Sequence, residues 1–226
     1  MERKELSVAI VGGGIGGLTA ALSLLQAGVD VHVYERARTI SEIGAGIAVS
    51  PNATRILYRL GLSEALETKS VKTGAWHYHR WDDGRTLLRS SLGAAVVAAF
   101  GFPLYHAHRA DVVNALVRAL PPERVNIGHT FKTLVDQGDY VEAEFENGVR
   151  IRADALVGAD GIRSAVRERL FGPEKPRFTG CIAYRGLVPA GRVAHLNLEM
   201  TAQIWPGPGR HFVHYYVRPD LGNFLA

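Results

Sequence analysis

The chain has 226 residues, 47% of them hydrophobic and 21% charged, with a formal net charge of +4. That describes an ordinary globular protein able to bury a core, although it is short for two complete domains. The basic residues are scattered and carry no nucleic-acid motif, and the single cysteine, Cys181, excludes an internal disulfide or a cysteine zinc site and suits the reducing cytoplasm.

No residue from Leu6 to Val29 is charged. The apolar run Val8-Ala9-Ile10-Val11 leads straight into a glycine-rich turn, with G-x-G-x-x-G at Gly12, Gly14 and Gly17. A helix is predicted from Leu18 to Ala27, closing on Gly28, and a second strand, Val31 to Tyr34, ends in Glu35. Strand, turn, helix, strand and acid together form a dinucleotide-binding unit. Gly12 makes the tight turn, Gly14 lets backbone amides approach a pyrophosphate, and Gly17 lets the helix pack on the strand. The helix N-terminus adds unpaired amides and partial positive charge. Glu35 stands eighteen residues beyond Gly17, near the ~20 at which a carboxylate accepts ribose hydroxyls. The same uncharged run is long enough to span a membrane, but its six glycines make a poor lipid-facing helix. No signal-type cleavage site follows it, so neither membrane nor nucleic acid is an expected partner.

Next comes a glycine-bearing loop, Ser41 to Ala48, able to run close to a ligand. Ser50 as N-cap and Pro51 at the first position open a helix that Gly61 stops. Alternation from Val71 to Arg89 around Asp82-Asp83-Gly84 predicts a hairpin. Residues 90–104, apolar and poorly patterned, suggest a loop over a pocket. A helix is predicted from His108 to Leu120, ended by Pro121-Pro122. Short strands follow at Val125–Ile127, Thr133–Asp136, Tyr140–Glu146 and Val149–Ala153, with Asn147-Gly148 as a hairpin turn. The buried run Ala155 to Val157 leads into Gly158-Ala159-Asp160-Gly161, then a helix from Ser164 to Leu170. Beyond Phe178 the pattern is β again, at Cys181–Val188, Ala202–Trp205 and His211–Val217. The pairs His77-x-His79 and His106-x-His108 each place two imidazoles on one strand face, but without a carboxylate or cysteine cluster no metal is expected. Cys181 reads as a small apolar packing group, and Trp76, Trp81 and Trp205 as sheet core or pocket wall.

With Gly158-Ala159-Asp160-Gly161-Ile162-Arg163-Ser164 in place, the chain resembles the single-component flavin aromatic hydroxylases. These are the p-hydroxybenzoate hydroxylase-like class A monooxygenases, here nearest the salicylate, 3-hydroxybenzoate and 6-hydroxynicotinate hydroxylase branch. Five matches follow the family's order: the glycine fingerprint with Glu35, Gly44-Ala45-Gly46 with Pro51-Asn52, His108-Arg109-Ala110-Asp111, the Asp160-Gly161 segment, and Ala183-Tyr184-Arg185-Gly186. The resemblance implies an α/β fold, a Rossmann-like FAD-binding domain with an interleaved β-sheet substrate domain. Its parts would be 1–72 and 105–175 for the FAD domain, with 73–104 and 176–226 for the substrate sheet. It further implies FAD, NADH or NADPH as co-substrate, dioxygen, a salicylate- or hydroxybenzoate-like aromatic substrate, and oxygen transfer through a flavin hydroperoxide. A homodimer is left open.

The cofactor residues implied by the resemblance are Gly12, Gly14, Ile15, Gly17, Glu35, Arg36, Gly46, Ile47, Arg109, Phe131 and Asp160. Arg109 would contact the FAD phosphate–ribose region, which suits a guanidinium fork. Asp160 would touch the FAD ribose, and it also fits an N-cap of the following helix; both roles can hold. Ile47 along the flavin and Phe131 by the adenine each have core packing as the alternative. On the substrate side, His211, Val213 and Tyr215 share one strand face and His214 the other. The Cα atoms of His211 and Tyr215 would stand about 13 Å apart, a spacing that brackets an aromatic ring. Matching residues in the family bind substrate and help deprotonate its ring hydroxyl, and a histidine suits that proton. The alternative is a half-buried sheet histidine and a core-edge tyrosine. The hydroxynicotinate enzymes carry a histidine where this chain has Ala48, which disfavours that substrate.

The family's second FAD segment, Gly-Asp-Ala-Ala-His-like, has no counterpart here, since Gly138-Asp139 lies in the predicted meander. The expectation is therefore an amino-terminal portion of a longer enzyme, ending inside a strand, with an exposed sheet edge and weak flavin retention. Two rival readings stand: an FAD-dependent oxidase or dehydrogenase without oxygen insertion, and a nucleotide-binding regulatory fragment.

Overall fold

A computed structural model describes residues 6–40 and 44–226, so the start of the glycine-bearing loop, Ser41 to Ile43, lies outside the described residues. By contacts the chain divides into two units, Met1–Ser41 with Val113–Thr179 and Glu42–Val112 with Gly180–Ala226.

The first unit is built on a parallel sheet in the order Ala155–Gly158, Ser7–Val11, Asp30–Glu35, Val125–Ile127. The crossover from Ser7–Val11 to Asp30–Glu35 is the helix Ile15–Gln26, whose buried face carries Gly17, Leu18, Ala21 and Leu22. Ile10 and Val33 are fully buried, each such side chain contributing about 1.5–3 kcal/mol. An antiparallel meander follows, Phe131–Asp136, Val141–Phe145 and Arg150–Ala153. The Asp154 carboxylate accepts from the Ser7 amide and hydroxyl at 2.8 Å each, setting the first strand against the last. The helix Ala165–Phe171 closes the unit.

The second unit carries a six-stranded sheet in the order Arg185–Pro189, Leu221–Leu225, Arg210–Arg218, Ala202–Gly207, Ala75–His79, Thr86–Ser91. All its pairings are antiparallel except Ala202–Gly207 with Ala75–His79. A small antiparallel sheet places Tyr105–His108 between Gly46–Val49 and Ser70–Lys72. The helix Arg109–Ala119 follows directly on Tyr105–His108.

Several expectations are corrected. Residues 90–104 are not a loop: the strand runs to Ser91 and a helix spans Gly93–Phe100, closing on Gly101 with φ +76°. The segment is apolar on every side and shows no helical period, which hid it. The helix Ser63–Lys69 was also missed. Ser50 does not cap with its side chain; its Oγ donates to Asn52 Oδ1 at 2.6 Å, while its carbonyl takes the Ala53 and Thr54 amides. Leu221–Leu225 is no exposed edge, because Arg185–Pro189 and Arg210–Arg218 flank it. The strand expected from Cys181 starts at Arg185, and Cys181 is exposed instead of packed. Trp81, at 60% exposure, takes the pocket-wall alternative of its two readings.

The contact units also divide the chain differently from the expected domain parts. Segments 42–72 and 105–112 group with the large sheet. The reason is local: the Gly46 amide donates to Asn223 Oδ1 at 2.8 Å, and His106 stacks on Tyr215, so the small sheet travels with the large one.

Candidate functional site

In the first unit the glycine turn behaves as three distinct positions. Gly12 has φ +115°, where L side chains are strained, and a Cβ there would stand 2.8 Å from the Asp160 amide nitrogen and closer still to Ala159. Gly17 packs directly on the Gly12 carbonyl. Gly14, the N-cap of the Ile15–Gln26 helix, has nothing within 4 Å of a would-be Cβ, and neither has Gly16. The turn therefore forms an open cradle lined by backbone amides, with no acidic residue in the first helical turn to oppose an anion. That is the fit a pyrophosphate needs.

Glu35 is fixed beside this cradle. Its Oε2 accepts from the Gly13 amide at 2.6 Å and its Oε1 from the Ala37 amide at 2.8 Å. Arg36, next in sequence, is exposed. Asp160 lies across the turn, at the end of Ala155–Gly158, where the Ala159 amide donates to the Val11 carbonyl at 2.7 Å. Its Oδ2 accepts from the Ala165 and Val166 amides at 2.7 and 3.2 Å, and its Oδ1 from the Ser164 hydroxyl. Asp160 thus caps the Ala165–Phe171 helix, together with Ser164, whose Oγ accepts from the Arg167 amide at 3.0 Å. Phe131, at 8% exposure, packs in the core with Val11, Leu134, Phe145 and Val166, the packing alternative of its two readings.

In the second unit, Gly46 and Ile47 begin the small sheet, and the Arg109 amide donates to the Ala45 carbonyl at 3.1 Å. Gly46 is a glycine for want of space: a Cβ would lie 2.6 Å from Asn223 Cγ and 2.8 Å from both Tyr215 Cε2 and Val217 Cγ1. Tyr215 is half-buried within Arg210–Arg218, and burial raises its phenol pKa, with the Arg185 charge pulling the other way. His211 is exposed near the start of that strand. It lines a cavity of about 640 Å³ with Trp81, Trp205 and Phe212. Tyr215 borders a separate, more apolar one of about 430 Å³ with Leu196, Leu198 and Phe224. The two expected substrate residues share a strand face but not a cavity.

What the sequence did not reveal is the imidazole company of these residues. His106 is 4% exposed; its Nδ1 lies 2.6 Å from Thr73 Oγ1, and burial lowers its pKa to about 4. On the other face of the large sheet, Gln203 links two histidines, accepting from His79 Nε2 at 2.5 Å and donating to His77 Nδ1 at 3.2 Å. His79 and His214, from the two strands that flank Ala202–Gly207, both stack on Trp205 with ring centroids 4.9 and 5.2 Å away, and His214 has its pKa lowered by burial and by His79. Among the described residues no group of three histidine, cysteine or acidic side chains is placed to hold a metal ion. No helix among them is long and apolar enough to cross a membrane. Alternation made His106 visible as a strand residue, but nothing local pointed to Thr73 or Tyr215 as its partners.

Residues 5–181 match the FAD binding domain family. The chain is 42% identical to the 3-amino-4-hydroxybenzoate 2-monooxygenase PtnB3 of Streptomyces platensis over 220 residues, 97% of this chain and 55% of that protein. It is 37% identical to the 6-hydroxynicotinate 3-monooxygenase of Pseudomonas fluorescens over 211 residues, 93% of this chain and 55% of that protein. Among solved structures, Klebsiella pneumoniae HpxO complexed with FAD and uric acid superposes with a TM-score of 0.88 at 27% identity, covering 97% of this chain and 55% of that one. The chain spans about half the length of the curated relatives it matches.

Proposed function

Since the chain belongs to the FAD binding domain family, among the class A flavin-dependent aromatic monooxygenases, we propose that the whole enzyme hydroxylates a small phenolic acid. NADH or NADPH and dioxygen are the co-substrates, and a hydroxybenzoate is the substrate class. The observation that carries the substrate class is Tyr215, half-buried and kept protonated by burial, with the positive charge of Arg185 acting on it.

FAD, reduced by the nicotinamide, supplies activated dioxygen when bound. The amides of Gly14 and Ile15 hold its phosphates, and Glu35 with Arg36 takes the ribose end. Asp160 contacts the cofactor with the acceptor capacity its cap leaves, while Gly12 and Gly17 shape the turn. Gly46, Ile47 and Arg109 keep the flavin contacts the family resemblance gives them. On the substrate side the chain's own work is orientation and stabilisation of the phenolate. The protonated Tyr215 hydroxyl donates a hydrogen bond to the substrate's ring oxygen, and Arg185 provides the field for its carboxylate. The ring hydroxyl's proton leaves to solvent; His211, in a cavity that Tyr215 does not border, takes no part at this oxygen. As that proton leaves, the Tyr215 O–H stabilises the phenolate, and the ring becomes the stronger nucleophile.

The test uses the complete enzyme, loaded with FAD, and a panel of 3-amino-4-hydroxybenzoate, hydroxybenzoates, salicylate and 6-hydroxynicotinate under labelled dioxygen. One hydroxybenzoate-type member should accelerate NAD(P)H oxidation and return a product carrying the label. Peroxide without labelled product would instead favour the oxidase or dehydrogenase reading, and no acceleration by any member would leave the hydroxylase assignment without support.

A further inference from the structure

Tyr215 is gripped from two directions, and neither grip was visible in the sequence. His106 lies against its ring with centroids 4.1 Å apart and planes 28° from parallel. At the ring edge the backbone of Gly46 closes in, leaving no room for a Cβ, and the Gly46 amide is itself tied to the buried Asn223 side chain. The imidazole in turn cannot slide. Its strand, Tyr105–His108, is paired on both sides, and its Nδ1 is bonded to the hydroxyl of the fully buried Thr73. A tyrosine with only a half-buried ring would otherwise sample more than one χ setting, and its hydroxyl would sweep over several ångströms.

From this geometry we propose that His106, oriented by Thr73, is a positioning residue that sets the ring plane of Tyr215 and so aims its hydroxyl at the substrate. The proposal rests on the substrate role given to Tyr215 above. Burial keeps the imidazole neutral near pH 7, so it stacks as an aromatic ring and brings no positive charge to the phenol. Space-filling alone does not call for this arrangement. A phenyl ring would fill the same volume, whereas the Thr73 bond fixes which way the ring plane lies.

The experiment measures KM, kcat and the fraction of NAD(P)H oxidised that appears as hydroxylated product. It uses complete, FAD-loaded enzyme carrying His106→Ala, His106→Phe, Thr73→Val, Tyr215→Phe or the double change His106→Ala with Tyr215→Phe. Loss of a stacked ring pair should raise KM for the aromatic substrate by roughly three- to tenfold in His106→Ala and lower the coupled fraction. His106→Phe, which keeps a ring but not the Thr73 bond, and Thr73→Val, which keeps the imidazole without its anchor, should both fall between the parent and His106→Ala. Tyr215→Phe should reproduce the His106→Ala defect, with the double variant no worse than Tyr215→Phe alone. If His106→Phe and Thr73→Val both match the parent while His106→Ala is impaired, filling space suffices and the positioning role is wrong; it is wrong also if the His106→Ala and Tyr215→Phe defects multiply. If Tyr215→Phe is impaired while His106→Ala and Thr73→Val match the parent, the positioning role fails and the substrate role of Tyr215 survives. A Tyr215→Phe enzyme that behaves as the parent overturns both. Should His106→Ala fail to fold, His106→Phe and Thr73→Val decide: the proposal requires both to be impaired relative to the parent.

Discussion

Gly12 and Gly14 stand two residues apart in one motif, yet the structure predicts opposite consequences for the same added methyl group. At Gly12, alanine must adopt φ +115° and push its Cβ into the Ala159–Asp160 backbone. The backbone strain costs about 1–3 kcal/mol, and overpacking against a main chain that cannot rotate away costs a further ~1–3 kcal/mol. Two turn hydrogen bonds are at risk, Gly12 amide to Tyr34 carbonyl at 2.8 Å and Ala159 amide to Val11 carbonyl at 2.7 Å, each contributing about 1 kcal/mol. The sum with both hydrogen bonds lost, roughly 4–8 kcal/mol, is a large part of the ~5–15 kcal/mol that holds a domain folded. At ~2–4 °C per kcal/mol for a chain of this size, Gly12→Ala should unfold about 10 °C or more below the parent. At Gly14, φ is −78° and nothing lies within 4 Å of the new methyl, so the loss is limited to the weaker N-cap, ~1 kcal/mol or less. That methyl does enter the cradle, so FAD affinity should fall about tenfold or more, equivalent to ~1.4 kcal/mol. The assay pairs thermal unfolding by circular dichroism with FAD titration of the apoprotein, both on the complete enzyme. If Gly14→Ala destabilises as much as Gly12→Ala and binds FAD like the parent, the division between a structural and a ligand-facing glycine is refuted.

Asp160→Ala should cost ~0.5–2 kcal/mol through the lost helix cap. Asp160→Asn should keep the cap and lower FAD affinity; an Asn variant equal to the parent in both respects would reduce Asp160 to a cap alone. His106 makes stability depend on pH in a definite direction. Its folded pKa of about 4 lies below its ordinary 6.5, so the unfolded chain binds the extra proton first. This contribution is fully present above pH 6.5 and is lost as pH falls toward 4, by up to ~3 kcal/mol. Denaturant midpoints of the parent should therefore fall between pH 6.5 and 4 more steeply than those of His106→Phe, and parallel curves would contradict the buried, neutral imidazole. Arg185→Gln should raise KM for a carboxylated substrate about tenfold or more, and much less for its uncharged amide; equal effects on both would remove Arg185 from carboxylate recognition.

The parts of the molecule legible in the sequence were those spelled out by consecutive elements. Ser7–Val11, the glycine turn, the crossover helix and Glu35 follow in order, and each needs only its neighbours to be understood. Asp160 was readable in the same way, as an acid poised ahead of a short helix. The reading failed where a residue's role is set by a distant partner. Asn223 meets Gly46 across 177 residues and Thr73 meets His106 across 33, and neither separation leaves a periodic trace. The Gly93–Phe100 helix failed for a different reason, because a helix apolar all round has no amphipathic signature to detect. Register hid the rest: only pairing with Arg185–Pro189 shows that Leu221–Leu225 is an interior strand.

The two acids named from the sequence show how one carboxylate can serve both fold and ligand. An ionised carboxylate offers roughly four acceptor positions. Glu35 spends two of them on the Gly13 and Ala37 amides, and Asp160 spends three on two amides and the Ser164 hydroxyl. By that arithmetic Glu35 keeps capacity for both hydroxyls of one ribose, whereas Asp160 keeps capacity for a single contact. Because the backbone already holds both side chains, binding need not freeze their rotamers, a saving of about 0.5–1.5 kcal/mol for each. The amides that stabilise the turn are thus the same groups that prepare it for the cofactor.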